Sequence, residues 1–281
     1  MLGRHRIQTK TPDEIRTMRR AGLIVAEGLT QMGRAAVPGA TTADIDRAGR
    51  QVLRAHGAES NFLNYGAEWG IPPYPGVACV SVNEVIVHGI PDERELHDGD
   101  IVSIDFGAIV DGWHGDAART FCVGEVSEEA RLLSERTREA MWAGITQIRP
   151  GNRIGDVSAA VQASVESWDH PYGIVREYTG HGIGTEMHMA PDVPNYAVSN
   201  RGPKLVTGMA LAIEPMLVRG GIETRVLEDE WTVVTTDGSR ASQWEHTVCR
   251  HSQGVWVLTA EDGGRSELEP LGVRPVPIPA G

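Results

Sequence analysis

The dipeptide Asp111-Gly112 divides one long apolar stretch into two strand-like runs, 100–109 and 113–123. Asp-Gly between such runs signals a tight two-residue hairpin, because both turn positions need a left-handed backbone. With that turn, Val110 faces Trp113 and Gly107 faces Asp116. Asp105 then shares a face with Gly107, and Asp105 and Asp116 become a diagonal cross-strand pair, about 7–8 Å apart at Cα. A slip of one residue would separate them. Their neighbours Ile101, Ile104, Phe106 and Phe121 have the character of core. The hairpin must therefore bury two acids side by side, which is costly unless something neutralises them.

Two more acids stand in similar surroundings. Glu214 lies in a strand-like run at 209–218 and Glu245 in one at 244–250, both read as strand interiors. Four buried carboxylates carry four negative charges, and most have no basic neighbour in the chain. Two divalent cations would balance them, which favours a two-metal site over salt bridges. Three histidines accompany the acids. His181 lies in a loop-like Gly180-His181-Gly182, where flanking glycines let the backbone pack close to the imidazole; His188 follows, and His88 ends an apolar run at 85–87. Each alone is more often structural than catalytic. An oxygen-rich shell with one imidazole suits Mn, Fe, Co, Zn or Mg better than a thiolate-preferring metal. Its chemistry is hydrolytic.

The rest of the chain alternates helices and strands without regular βαβ order, which predicts an α+β fold. Thr11-Pro12-Asp13-Glu14 opens an amphipathic helix marked by Ile15, Met18, Gly22, Val25, Leu29 and Met32. Further helices are predicted from Thr41 or Thr42 to Gly57, from Ser127 to about Thr146, and through Ile154, Val157, Val161, Val165 and Trp168. The remaining strand-like runs are 77–82, 174–179, 231–236 and 254–259. A faint repeat is visible: Leu96 to Asp105 aligns with Leu205 to Glu214 at an offset of 109 residues, and Val37-Pro38-Gly39 echoes Arg149-Pro150-Gly151. This predicts two pseudo-symmetric halves, each ending a strand in a carboxylate; coincidence is the alternative. One domain is expected over 1–281, with an N-terminal arm at about 1–9 and a proline-rich tail at about 269–281.

The net charge of −12 argues against sequence-independent nucleic-acid binding. No apolar run reaches the ~18 residues of a membrane span, and the first residues lack the apolar core of a secretory signal. Three scattered cysteines exclude a disulfide framework and fit a reducing cytoplasm.

The motifs in order are Asn83-Glu84-Val85-Ile86-Val87-His88-Gly89-Ile90-Pro91, Asp105, His114-Gly115-Asp116, Gly180-His181-Gly182-Ile183-Gly184, Ile213-Glu214-Pro215-Met216 and Glu245-His246-Thr247. On these the chain resembles the type I methionine aminopeptidases, from Lys10 to about Leu268. The resemblance implies the pita-bread fold, with antiparallel sheet and flanking helices in two related halves. It implies that Asp105 chelates one of two divalent ions, that His181 and Glu214 hold the other, and that Asp116 and Glu245 bridge both. Glu214 would move the proton, His188 would hydrogen-bond the substrate carbonyl, and His88 would contact the scissile nitrogen. Tyr74, Cys79, Met187 and Trp231 would line the methionine pocket, with Met187 in place of an expected aromatic residue.

The implied activity is removal of the initiator methionine from nascent chains with a small second residue, in the cytoplasm, by a monomer meeting its substrates at the ribosome. Only 26 positions separate His188 from Glu214, so the helical insertion of the type II enzymes is absent. The chain also lacks the N-terminal extension of eukaryotic type I enzymes, and looks like a bacterial-type catalytic domain. Two other readings compete. One is a proline-specific pita-bread peptidase (aminopeptidase P or prolidase), which usually carries an additional N-terminal domain. The other is an inactive pita-bread binding module, which typically has lost metal ligands.

Overall fold

The computed structural model describes residues 7–169 and 172–279. The first half runs α1 (Pro12–Ala35), α2 (Thr42–His56), β1 (Glu59–Ser60), β2 (Ala78–Val82), β3 (Val85–Val87), β4 (Ile101–Val110) and β5 (Trp113–Cys122). Helix α1 starts on a capping box: the Thr11 hydroxyl accepts from Glu14 N, and the Glu14 carboxylate accepts from Thr11 N at 2.7 Å. Such a cap is worth about 1 kcal/mol. The apolar faces of α1 and α2 pack on β4, where Leu29, Met32 and Ile45 meet Val102, Ile104 and Phe106. Strand β4 lies between β2 and β5, and β1 adds to its far end. Asp111 and Gly112 take φ of +49° and +76°, so the hairpin turns where expected. Its register pairs Val110 with Trp113, Gly107 with Asp116 and Asp105 with Ala118.

The second half runs α3 (Glu128–Ile145), α4 (Ile154–Glu166), β6 (Gly173–Ile174), β7 (Gly180–Gly182), β8 (Met189–Val193), β9 (Met209–Ile213), β10 (Met216–Val218), β11 (Thr224–Val226), β12 (Val233–Thr235), β13 (Ala241–Gln243), β14 (His246–Arg250), β15 (Val255–Val257) and α5 (Arg265–Leu268). Met141 and Ile145 of α3 and Val157 of α4 pack on Leu211, Ile213 and Val248 of a five-stranded sheet ordered β15-β14-β9-β7-β8. Two three-stranded sheets, β13-β10-β6 and β11-β12-β3, complete the antiparallel framework.

The repeat is physical. Leu96 N donates to Ala40 O at 2.8 Å, and Leu205 N donates to Asn152 O at 2.9 Å. Thr41 bridges Glu95 as Arg153 bridges Lys204, each just before a helix. Gly99 and Gly208 turn with φ of +95° and +85° ahead of β4 and β9. The chain is α+β, with helices covering paired antiparallel sheets in two related halves.

Several boundaries differ from expectation. The runs at 209–218 and 244–250 are not continuous strands. At Glu214 and at Glu245 the chain passes between two sheets: β9 and β14 pair in the five-stranded sheet, whereas β10, which follows β9, and β13, which precedes β14, pair with one another beside β6. Glu214 and Glu245 sit in these crossings, not in strand interiors, and Pro215 cannot donate to a ladder. Of the run at 174–179 only Ile174 is strand, joined to Gly173 in β6, and His181, for which a plain loop residue was the competing reading, lies in β7. Residues 1–6 of the arm lie outside the described residues; Gln8 bonds the Thr185 hydroxyl at 2.9 Å. The described part of the tail turns at 269–272 and then runs along β15, where Val276 N donates to Val255 O at 3.0 Å. Residues 280–281 lie outside the described residues.

Candidate metal centre

Five elements converge on one cavity of about 280 Å³. Asp105 comes from β4, Asp116 from β5, His181 from β7, Glu214 from the β9–β10 crossing and Glu245 from the β13–β14 crossing. The halves are joined at this point by backbone. Glu245 N donates to Ala118 O at 2.8 Å, and Ala118 in turn pairs with Asp105. The Thr247 hydroxyl accepts from Asp116 N and donates to Asp116 O. The crossings thus deliver Glu245 to the hairpin that carries both aspartates.

His181 is held by close backbone packing. A Cβ at Gly180 would stand 2.4 Å from Ala212 O, and one at Gly182 would stand 2.3 Å from Ala190 O. Only glycine fits on either side. A carbonyl can only accept, so His181 Nδ1 donates to Gly182 O at 3.0 Å. Neutral imidazole then keeps its lone pair on Nε2, which lies 3.3 Å from Glu214 Oε1. That orientation is the one metal-binding histidines adopt.

The carboxylates lack organic counter-charges. Among the described residues, no lysine or arginine pairs with any of the four. Asp105 Oδ1, Asp116 Oδ1 and Glu245 Oε1 are buried without a hydrogen-bond partner. One ligand atom each of Asp116, His181 and Glu245 lies within 4.8 Å of the others. Burial, and then repulsion from neighbouring acids, holds the Asp105, Glu214 and Glu245 carboxyls well above the usual carboxylate range. Burial pushes Asp116 up to about 7 and His181 down to about 3. Orphaned carboxyl oxygens, with an imidazole Nε2 directed at them, form an oxygen-rich donor set that a divalent cation fits.

The other end of the cavity is apolar. Tyr74, Cys79, Met187 and Trp231 form one cluster with Phe62, a residue sequence reasoning missed. Met187 is buried within that wall, filling the position where an aromatic residue was expected. His88 and His188 stand between the apolar end and the acids. The His188 and His181 rings lie 4.4 Å apart, and the His88 and Trp231 rings 6.4 Å apart. Burial lowers both His88 and His188 to about 4. His88 takes φ of +59°, a strained conformation for a residue with a side chain.

Tyr65, Tyr178 and Gln243 also escaped the sequence reading. Tyr65 hydrogen-bonds His188, and Tyr178 packs edge-on against His88. Gln243 is buried in the cavity lining beside Asp105 and Glu214, where its amide partly opposes the upward shift of both carboxyls. Its signal was present, since it stands two residues before Glu245. The two tyrosines had none beyond aromatic density.

The chain is similar to known proteins over most of its length. Metallopeptidase family M24 matches residues 16–250. A methionine aminopeptidase of Clostridium acetobutylicum is 48% identical over 251 residues, covering 89% of this chain and 97% of its own. The crystal structure of methionine aminopeptidase from Thermotoga maritima superposes with a TM-score of 0.86 at 42% identity, covering 91% of this chain and all of that one. A prolidase from Pyrococcus furiosus, with a TM-score of 0.70 and 20% identity, shares the fold; the match covers 90% of this chain and 65% of that one.

Proposed function

The chain belongs to metallopeptidase family M24, among its methionine aminopeptidases, and from that premise we propose how its own residues divide the work. In this reading Asp105 would hold one divalent ion and His181 and Glu214 a second, with Asp116 and Glu245 contributing to both. Such ions would supply Lewis-acid activation of water and of the substrate carbonyl.

The methionine side chain of the substrate enters the pocket of Phe62, Tyr74, Cys79, Met187 and Trp231. Sulfur and aromatic surfaces suit a thioether. The free α-amino group meets the acids, which restricts the enzyme to chain ends. Glu214 accepts the proton at a carboxylate oxygen and passes it to the leaving amine. His188 donates to the oxygen on which charge develops. His88, fixed by its strained backbone, faces the nitrogen of the scissile bond. Crowding by the acids admits only a small second residue. The physiological substrates are nascent chains carrying initiator methionine, met in the cytoplasm at the ribosome by a monomer.

One observation carries this reading: three buried, unpartnered carboxyl oxygens line the same cavity as a buried sulfur-and-aromatic cluster. The test is hydrolysis of Met-Gly-Met-Met and Ala-Pro-Gly by metal-stripped protein titrated with Mn, Co or Fe. Metal-dependent release of methionine from the first peptide alone is expected. Release of alanine from the second would move the chain to the proline-specific branch, and silence on both would favour a binding module. Efficient cleavage of Met-Arg or Met-Trp peptides would refute the small second subsite.

A further inference from the structure

Tyr74, Cys79 and Met187, at 1–3% exposure, form the inner end of the cavity, so a peptide with its first side chain seated there extends outward from them. The mouth of that cavity carries Trp69. Its relative exposure of 60% is the highest of any large apolar residue among the described residues, yet its side chain lines the cavity. Trp231, at 8%, forms the inner part of the same wall. The Trp69 ring lies 4.9 Å from Tyr65 in an edge-on contact and 6.3 Å from Trp231, tilted by 35°. The indole therefore extends the aromatic wall outward from the pocket.

Its loop is tied to the site at three points. Tyr74 N donates to Tyr65 O at 3.0 Å, and Asn64 N donates to Tyr74 O at 2.8 Å, closing the neck. Trp231 Nε1 donates to Pro72 O at 2.7 Å, clipping the loop to the pocket wall. Between neck and clip, Ala67–Trp69 make one 3₁₀ turn. The loop hangs from two tyrosines of the site, one of which bonds His188.

We propose that Trp69 is a specificity residue that contacts the third residue of the substrate and favours an apolar or aromatic side chain there. In an extended peptide, residues 1 and 3 point to the same side, about 6.6 Å apart along the chain. The separation of Trp231 and Trp69 matches that repeat. A methionine side chain on the inner wall thus returns the third side chain to the outer indole, while the second faces the crowded acids. The inference rests on the methionine aminopeptidase reading.

The test compares Met-Ala-Phe with Met-Ala-Asp on wild type, Trp69→Ala and Trp69→Phe, alongside the inhibition constant of L-methioninol, which reaches only the inner pocket. Wild type is expected to prefer Met-Ala-Phe. Trp69→Ala should raise KM for that peptide about two- to tenfold, the range of one aromatic contact. It should leave Met-Ala-Asp and L-methioninol within about twofold. Trp69→Phe should keep most of the preference. Equal losses on both peptides and the inhibitor would make Trp69 merely structural, and no change on either peptide would remove it from recognition. Failure of wild type to release methionine from either peptide would overturn the underlying reading instead.

Discussion

The hydroxyl of Tyr65 is hydrogen-bonded to Nδ1 of His188. That contact leaves Nε2 of His188 free to face a substrate oxygen and fixes the ring plane. Burial holds the Tyr65 hydroxyl up at about 12, so it remains protonated at neutral pH. Tyr65→Phe removes the contact and keeps the ring that packs on Trp69 and Trp231. A net hydrogen bond is worth about 1 kcal/mol, or about fivefold. The expectation is a fall of that size in kcat for methionyl peptides with KM nearly unchanged. A rise in KM at constant kcat would make Tyr65 a pocket wall rather than a positioning residue for His188.

Glu245→Gln separates the cost of the acids from their use. Glu245 is buried with one unpartnered oxygen and repelled by Glu214, Asp116 and Asp105. The amide cannot ionise, so the metal-free variant should gain stability over wild type as pH rises above the ordinary glutamate range, where wild type must either hold a proton or bury a charge. Added metal should stabilise wild type by mass action and the variant far less. Thermal unfolding with and without Mn or Co reads both effects, and metal content and turnover of Met-Ala-Ser complete the test. Asp116→Asn should behave alike. Wild-type turnover in either variant would sink the bridging assignment.

Met187→Ala should widen the substrate pocket. Met187 is buried against Phe62, Tyr74, Cys79 and Trp231. Losing its contacts with a bound thioether should cost about 1–2 kcal/mol of binding, at roughly 0.8 kcal/mol per buried methylene. The expected reading is a KM for Met-Ala-Ser about tenfold higher with kcat within about twofold. Unchanged KM would place the methionine side chain elsewhere.

The hairpin around Asp111-Gly112 was legible because turn chemistry and strand alternation are local. The same is true of the helix caps at Thr11 and Thr41, and of the pairing that sets Asp116 diagonal to Asp105. The repeat was legible as a matching run of residues, yet its meaning, a shared backbone bridge before α2 and α4, lies between distant segments. Glu214 and Glu245 were found as acids in apolar runs. That each run changes sheets at its glutamate depends on where the partner strands end, which no local pattern encodes. His181 looked like a loop residue because its strand is three residues long and flanked by glycines. Tyr65 and Trp69 escaped because a pocket's mouth is assembled from loops, whose sequences carry little periodicity.

Lys10 gives a pH dependence away from the acids. Its side chain is buried and donates to Gln8 O at 3.0 Å. Burial lowers its pKa from 10.5 to about 8, against weaker opposing effects of Cys249 and Glu14. Between those values the unfolded chain binds the proton that the folded chain has released, so stability rises with pH across that window. Below about pH 8 both states are charged and the full cost of burying the charge is felt. At 1.36 kcal/mol per pKa unit the gain is about 3 kcal/mol. Other groups also titrate there, so the readout is the difference between wild type and Lys10→Met in urea unfolding at several pH values from 7 to 10.5. The variant should lose the rise and be relatively more stable at pH 7. Parallel curves for the two proteins would show that Lys10 stays charged in the fold.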